Sequence, residues 1–228
     1  MSIVYIVSAP SGSGKSTLVN ELFKMVRNLD FSISYTTRTS RGSEQDGKEY
    51  FFVSEAEFEA MIAANEFLEY ANVFGNYYGT AWRFLRETEK RGHDLLLDID
   101  VQGAAQIKRK LPDAVSIFIL PPDREKLEWR LRNRGLDSEA VIRRRLDTAR
   151  REIENYSKYD YILVNNLLEK SADELKAVVQ AERILRSGVQ PTLQEDRLLA
   201  TAKMCRLDQA RERVQPILAS FGTVPAGN

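Results

Sequence analysis

Apolar residues dominate four short segments, at 3–7, 94–100, 115–120 and 161–165, and each reads as a strand buried on both faces. Between them apolar positions recur at helical spacing: Leu18, Leu22, Met25 and Val26 share one face, and 101–110, 123–133, 138–156 and 171–187 read as helices. Ser54 with Glu57, and Ser171 with Glu174, have capping-box spacing. Asp123 and Ser138 stand where helices begin, and Gly92, Gly135 and Gly188 where they stop. Strands alternating with helices predict an α/β chain with a parallel sheet flanked by helices.

Two segments interrupt that alternation. Within 33–93, half-exposed strands at 31–36, 50–53, 67–71 and 72–80 surround helices at 54–64 and 82–91. Within 123–157 there is a helical pair. Both read as excursions from one core. In the tail, 190–228, Leu207, Ala210, Val214, Ile217, Leu218 and Phe221 fall at helical spacing, which suits packing on the core or on a second copy. Residues 223–228 are expected to be a loose terminus.

Composition changes this picture little. With 228 residues, 43% hydrophobic and 29% charged, the chain suits one large globular domain. No apolar run is long enough for a membrane span, and Met1 leads almost directly into a strand, without a secretory signal. The single cysteine, Cys205, excludes an internal disulfide and points to a reducing cytoplasm; with the single histidine, His93, it leaves no Cys/His metal site. Basic and acidic residues balance at 33 each, so no nucleic-acid or membrane partner is indicated. Charge is nevertheless concentrated: nine arginines and Lys126 lie between Arg124 and Arg151 against five carboxylates. That stretch reads as a solvated face, a nucleic-acid patch or an element that closes on phosphate.

The loop after the first strand favours the last reading. Ala9-Pro10-Ser11-Gly12-Ser13-Gly14-Lys15-Ser16-Thr17 sits between a strand and a helix, the setting of a phosphate-binding loop. Gly12 and Gly14 permit dihedrals that let successive N–H groups converge on an anion at the positive end of a helix. Lys15 supplies a point charge between terminal phosphates, and the Ser16 hydroxyl is placed to ligate Mg²⁺. Ala9 replaces the glycine that usually opens the pattern. Arg38 and Arg41, three apart, can fork onto one phosphate. Tyr50 and Tyr78 can donate hydrogen bonds without adding charge. Asp98 and Asp100 stand at the carboxyl end of a strand, where open α/β sheets bind ligands.

The spacing Thr37-Arg38-x-x-Arg41-x-x-Glu44-x-x-Gly47-x-x-Tyr50-x-Phe52 resembles the signature of guanylate kinases, within the P-loop nucleoside monophosphate kinases. The resemblance spans about 2–187 and includes Phe74-Gly75-Asn76-Tyr77-Tyr78-Gly79-Thr80, the stretch from Leu97 to Gly103, Arg130 to Gly135, and Asp160 to Asn165. It implies a P-loop core (1–32, 94–122, 158–189), a GMP-binding excursion (33–93), a helical lid (123–157) and an extension (190–228). It implies transfer of the γ-phosphoryl group of ATP to GMP and dGMP, with Mg²⁺, in a monomer or homodimer. On this resemblance Arg38, Arg41, Tyr50 and Tyr78 hold the GMP phosphate. Glu69 accepts from the guanine N1–H and amino group, Ser34 donates to O6, Thr80 lies near the base, and Asp100 faces GMP. Asp98 stands near the water shell of Mg²⁺. Arg130, Arg134 and Arg145 become lid arginines closing on ATP, and Asn165 contacts adenine. Asn166 departs from the acidic residue usual there.

A phosphate acceptor is already anionic near neutral pH and needs no strong base, so His93 is expected to be structural. Two other readings fit parts of the sequence: a kinase of another phosphorylated acceptor, and a non-catalytic guanylate-kinase-like module that binds phosphorylated peptides. Glu69 with Ser34 argues against the first, and Lys15 with Ser16 against the second.

Overall fold

A computed structural model describes residues 2–73, 75–133 and 138–222. Val4–Ser8 (β1) leads through the glycine loop into Lys15–Met25 (α1). Leu29–Phe31 (β2), Tyr35–Thr36 (β3) and Phe51–Phe52 (β4) precede Glu55–Ala63 (α2). Phe67–Val73 (β5) and Asn76–Ala81 (β6) form a hairpin followed by Trp82–Arg91 (α3). Then come Asp94–Asp98 (β7), Val101–Lys110 (α4), Val115–Leu120 (β8), Arg124–Asn133 (α5) and Glu139–Ile153 (α6). A 3₁₀ turn at Tyr156–Lys158 precedes Tyr161–Val164 (β9), Leu168–Ser187 (α7), Leu193–Cys205 (α8) and Leu207–Ser220 (α9).

The strands make a five-stranded sheet in the order β2-β7-β1-β8-β9 and a four-stranded sheet in the order β4-β3-β6-β5. The β2–β7 and β8–β9 pairings are parallel. In the second sheet β3 pairs parallel with β4 and antiparallel with β6. Every residue of β1 and β8 is buried, as their unbroken apolar runs require. The chain divides into two compact units, Met1–Ile6 with Asn28–Val115 and Val7–Arg27 with Ser116–Asn228. No helix among the described residues is long and apolar enough to cross a membrane.

In the first unit the small sheet closes on its own aromatic core. Phe58 stacks on Phe67 at 4.4 Å and on Tyr77 at 5.1 Å, with Tyr35, Val53 and Phe84 packed against them. The two-residue period of β6 turns Tyr77 toward this core and leaves Tyr78 and Thr80 on the other face. Ser54 and Glu57 complete the expected capping box, and Gly92, at φ 66°, ends α3.

Several expectations need correction. The strand expected at 31–36 is two strands, because the chain changes sheets there: Ser32 N still donates to the Leu96 carbonyl at 3.0 Å, and the Ser34 carbonyl accepts from Phe51 N at 2.9 Å. Ser171 opens no helix: α7 begins at Leu168, and the Ser171 hydroxyl donates to the Val164 carbonyl, 3.1 Å away. Ser138 stands at the N-cap of α6 without a side-chain bond, and α6 stops at Ile153. The tail is two helices, α8 opening on a Thr192–Glu195 capping box. The apolar stripe of α9 is covered within this chain: Ala210, Val214, Ile217, Leu218 and Phe221 are all buried. Phe74, Gly135 and 223–228, the expected loose terminus, lie outside the described residues.

Candidate active site

In the first unit, β5 and β6 place Glu69 opposite Thr80, and Ala71 opposite Tyr78, on one face of the small sheet. Glu69 is only 3% exposed. Burial, reinforced by the nearby Asp100 carboxylate, pushes its pKa up to about 7 against the pull of Thr80 and Lys110. The Thr80 hydroxyl beside it is buried without a complete hydrogen bond of its own. One face of α4 braces this strand. A Cβ on Gly103 would lie 2.5 Å from Glu69 Oε2, so only glycine admits the carboxylate there. The Gln106 amide donates to the Tyr70 carbonyl at 2.6 Å, and Lys110 Nζ donates to the Leu68 carbonyl at 2.6 Å. Residues 103, 106 and 110 share a helix face, so the backbone is gripped on both sides of Glu69. The Asp100 carboxylate caps α4, accepting from Gly103 N at 2.8 Å.

Arg38 lies at the other end of the same face. Its guanidinium donates to Glu44 Oε1 at 3.0 Å and to the Thr39 carbonyl at 2.6 Å, and it stands 5.3 Å from the Tyr50 ring centroid. Burial alone would lower its pKa; hydrogen bonds to Glu44 and Tyr78 outweigh that and raise it. Glu44 also accepts from Arg41 N at 2.7 Å, so one carboxylate orders both arginine positions. The Thr36 and Thr37 hydroxyls tie this loop to Tyr77 of β6. Tyr50 and Tyr78 meet edge to face at 5.8 Å. Burial first, then the negative charge of Asp98, pushes the Tyr50 phenol up, which keeps it a neutral donor. Ser34 lies between β2 and β3, its carbonyl accepting from Phe51 N.

The second unit builds its site from main chain. Gly12 and Gly14 hold φ of 92° and 87°, and Gly14 is the N-cap of α1. A Cβ on Gly14 would lie 2.4 Å from Asn165 Nδ2. The Ser13 carbonyl, turned away from the amides, accepts from Asn165 Nδ2 at 2.7 Å and from Arg130 Nη1 at 3.2 Å. Arg130 Nη2 reaches the Asn165 carbonyl at 2.9 Å. Arg130 and Asn165 thus clamp the loop from its carbonyl side, while Ser13 N donates within the loop to the Pro10 carbonyl at 3.0 Å. Beside the loop lies an open cleft of about 370 Å³, lined by Gly12, Gly14, Thr17, Trp129, Arg130, Asn133, Asn165, Asn166 and Leu168. Its apolar walls, Trp129 and Leu168, are 56% and 39% exposed.

The chain from residue 1 to 182 matches the protein-family model described as guanylate kinase. The chain belongs to the guanylate kinase family. A protein of Koribacter versatilis named guanylate kinase is 58% identical over 221 residues, covering 96% of this chain and 95% of that one. A guanylate kinase of Methylococcus capsulatus is 48% identical, covering 84% and 94%. The crystal structure of guanylate kinase from Anaplasma phagocytophilum matches with a TM-score of 0.67 at 36% identity, over 79% of this chain and 86% of that one.

Against the family pattern, the first unit brings together Arg38, Tyr50, Tyr78 and Asp98, and separately Glu69, Thr80 and Asp100. Arg41 is exposed, and the described contact at that position is through its backbone. The second unit joins the loop, Arg130 and Asn165; the Asn165 amide is spent on Ser13 rather than left open. Arg145 is half-buried on α6, and Arg134 lies outside the described residues. His93 pairs with Asp30 at 3.0 Å, a structural contact. Among the described residues no three of His, Cys, Asp and Glu gather as a metal cage. The exposed Ser16 hydroxyl at the start of α1 fits Mg²⁺, which takes few protein oxygens and completes its shell with phosphate and water. Sequence reasoning assigned Gly103 no role beyond the end of a motif, and passed over Gln106, Lys110 and Trp129. The first three carry a signal in their helical spacing; Trp129 carries none, since an aromatic on a helix reads as core.

Proposed function

We infer that this chain transfers the γ-phosphoryl group of ATP to GMP, giving ADP and GDP, and that dGMP serves as well. The observation that carries the reading is Glu69, a buried carboxylate braced on both sides. Guanine presents N1–H and an amino group side by side, and one carboxylate accepts from both. Adenine has no donor at N1, and the mismatch with a buried acceptor gives discrimination on the order of 10⁴. Ser34 is assigned to O6, and Thr80 and Asp100 to the base side. Arg38, Arg41, Tyr50 and Tyr78 are assigned to the phosphate.

The phosphate loop, Ala9 to Thr17, takes the ATP phosphates on its N–H groups, with Lys15 at the terminal ones. Arg130, Arg134 and Arg145 stabilise charge on the transferring group. The adenine is assigned to the cleft floored by Asn165 and walled by Trp129. Ser16 would hold Mg²⁺, with Asp98 reached through water; the ion, when bound, neutralises phosphate charge. The acceptor is itself a phosphate, so alignment and charge neutralisation carry the reaction without a general base. A lone, buried Cys205 suits a cytoplasmic enzyme.

The test is a panel of GMP, dGMP, AMP, UMP and dTMP with ATP, repeated in Glu69→Gln. GMP and dGMP are expected to be phosphorylated at least about 10³-fold faster than the rest. Glu69→Gln should remove that preference and leave KM for ATP within about twofold. Equal rates across the wild-type panel would sink the guanine assignment.

A further inference from the structure

The helices past the family match fasten two parts of the ATP side together. At one end, the turn between α8 and α9 grips β9, an edge strand of the five-stranded sheet: Leu207 N donates to the Asp160 carbonyl at 3.1 Å. Arg206 lies over the Tyr161 ring at 5.2 Å, and Arg213 Nη2 donates to the Ile162 carbonyl at 3.0 Å. The strand held in this way delivers Asn165. At the other end, Ser220 Oγ accepts from Arg124 N at 3.0 Å while donating to the Ile217 carbonyl at 2.7 Å. Arg124 is the first residue of α5, and its N–H has no partner within that helix. The Gly222 carbonyl accepts from Arg150 Nη2 on α6 at 2.9 Å. Asp123 caps the same turn of α5 through Lys126 N, so Ser220 completes the cap rather than duplicating it. The helix seated there delivers Arg130, which meets Asn165 at the Ser13 carbonyl.

We propose that α8–α9 is a brace that seats the lid helices, with Ser220 and Arg150 as positioning residues for Arg130 and for the nucleotide on the phosphate loop. The brace binds β9 and α5 at once, so loosening its far end lets α5 turn about its N-terminus while the loop stays in place. Arg130 then reaches the donor phosphates less often. The acceptor groups, Arg38 and Glu69, belong to the other unit. This rests on the reading of the loop as the ATP site.

The test is the full-length Ser220→Ala/Arg150→Ala variant, with Ser220→Thr/Arg150→Lys as the conservative pair that keeps both bonds. KM for ATP should rise about three- to tenfold and kcat fall comparably, one or two hydrogen bonds being lost. KM for GMP should stay within about twofold, and the conservative pair should restore ATP behaviour. Backbone amides of the first turn of α5 should exchange faster in the alanine variant only. Faster exchange with unchanged ATP kinetics would reduce the brace to a stabilising contact and overturn the proposal. So would a parallel rise in both KM values, or failure of the conservative pair to rescue. If the double alanine variant does not fold, each single alanine variant carries the same comparison. Lys15→Ala, measured alongside, separates the two readings: undiminished ATP use there would sink the donor assignment, whatever Ser220 does.

Discussion

The phosphate loop and the Glu69 sheet solve opposite problems with opposite materials. Around Ser13 the groups assigned to the ligand are backbone amides, in a loop shaped by two positive-φ glycines and held through its Ser13 carbonyl by Arg130 and Asn165. Such a surface reads charge and shape and is indifferent to the base attached. Around Glu69 the proposed contacts are side chains on a short, twisted sheet, held by an aromatic core and by one face of α4. That surface is the one proposed to read a base, and it holds a carboxylate where burial disfavours its charge. On the proposed reading, recognition of phosphate costs the fold little, because helix and loop supply it, whereas recognition of guanine requires a destabilised group and its braces.

The largest break in this contrast should come from the backbone side. In Gly14→Ala the new Cβ meets Asn165 Nδ2 at 2.4 Å, and φ of 87° is strained for any side chain. Loss of converging N–H groups should lower kcat/KM for ATP about 10³-fold, comparable to removing a transition-state donor, with GMP binding unchanged by calorimetry. A mirror experiment uses Gly103→Ala, whose Cβ would fall 2.5 Å from Glu69 Oε2. There kcat/KM for GMP should fall about 10²-fold, the cost of an Ångström-scale misplacement, while KM for ATP holds. If both substrates suffer in both variants, the division of labour is wrong.

How much of this was legible beforehand differs between the two sites for the same reason. The loop announced itself because its chemistry is local: Gly12, Gly14, Lys15 and Ser16 act within one turn of chain. The clamp that holds it, from Arg130 and Asn165, lies more than a hundred residues away and was visible only as a family likeness. On the sheet side, Glu69 was recognisable by resemblance, but its elevated pKa depends on burial by α4, which no spacing within β5 reveals. The misplaced start of α7 has a local cause: Ser171 and Glu174 have capping-box spacing, yet the chain needs the Ser171 hydroxyl on the Val164 carbonyl. The opposite error, missing the Thr192–Glu195 box, came from treating the tail by its apolar stripe alone.

A change of pH sharpens the contrast further. On the proposed reading guanine's donors need ionised Glu69, whose pKa burial pushes up to about 7. As pH falls from 7 to 5, apparent GMP affinity should weaken toward tenfold per unit, approaching a hundredfold overall. KM for ATP over the same interval should follow only the γ-phosphate's own ionisation, measurable in Glu69→Gln. A flat GMP profile would mean that bound Glu69 never competes with a proton.

The smallest effect concerns stability and has the opposite sign to the activity. Glu69 is a carboxyl with a folded pKa above its unfolded one. Between about 4.5 and 7 the folded state holds a proton that the unfolded state has lost, so stability falls as pH rises through this window. Above about 7 the full penalty is in force, on the order of 3 kcal/mol. Glu69→Gln removes the charge but leaves an amide that must find partners beside Thr80 and Lys110, which offsets part of the gain. Urea unfolding of the ligand-free variant at pH 8 should therefore show a net increase of about 1–2 kcal/mol, reversing to a net loss of similar size by pH 4, where the charge penalty has gone and the cost of the amide remains. The phosphate loop offers no counterpart, since its N–H groups carry no titrating charge. A Gln variant no more stable than the parent at pH 8 would mean that Glu69 is solvated in the free protein, and the cost assigned to reading guanine would have to be sought elsewhere.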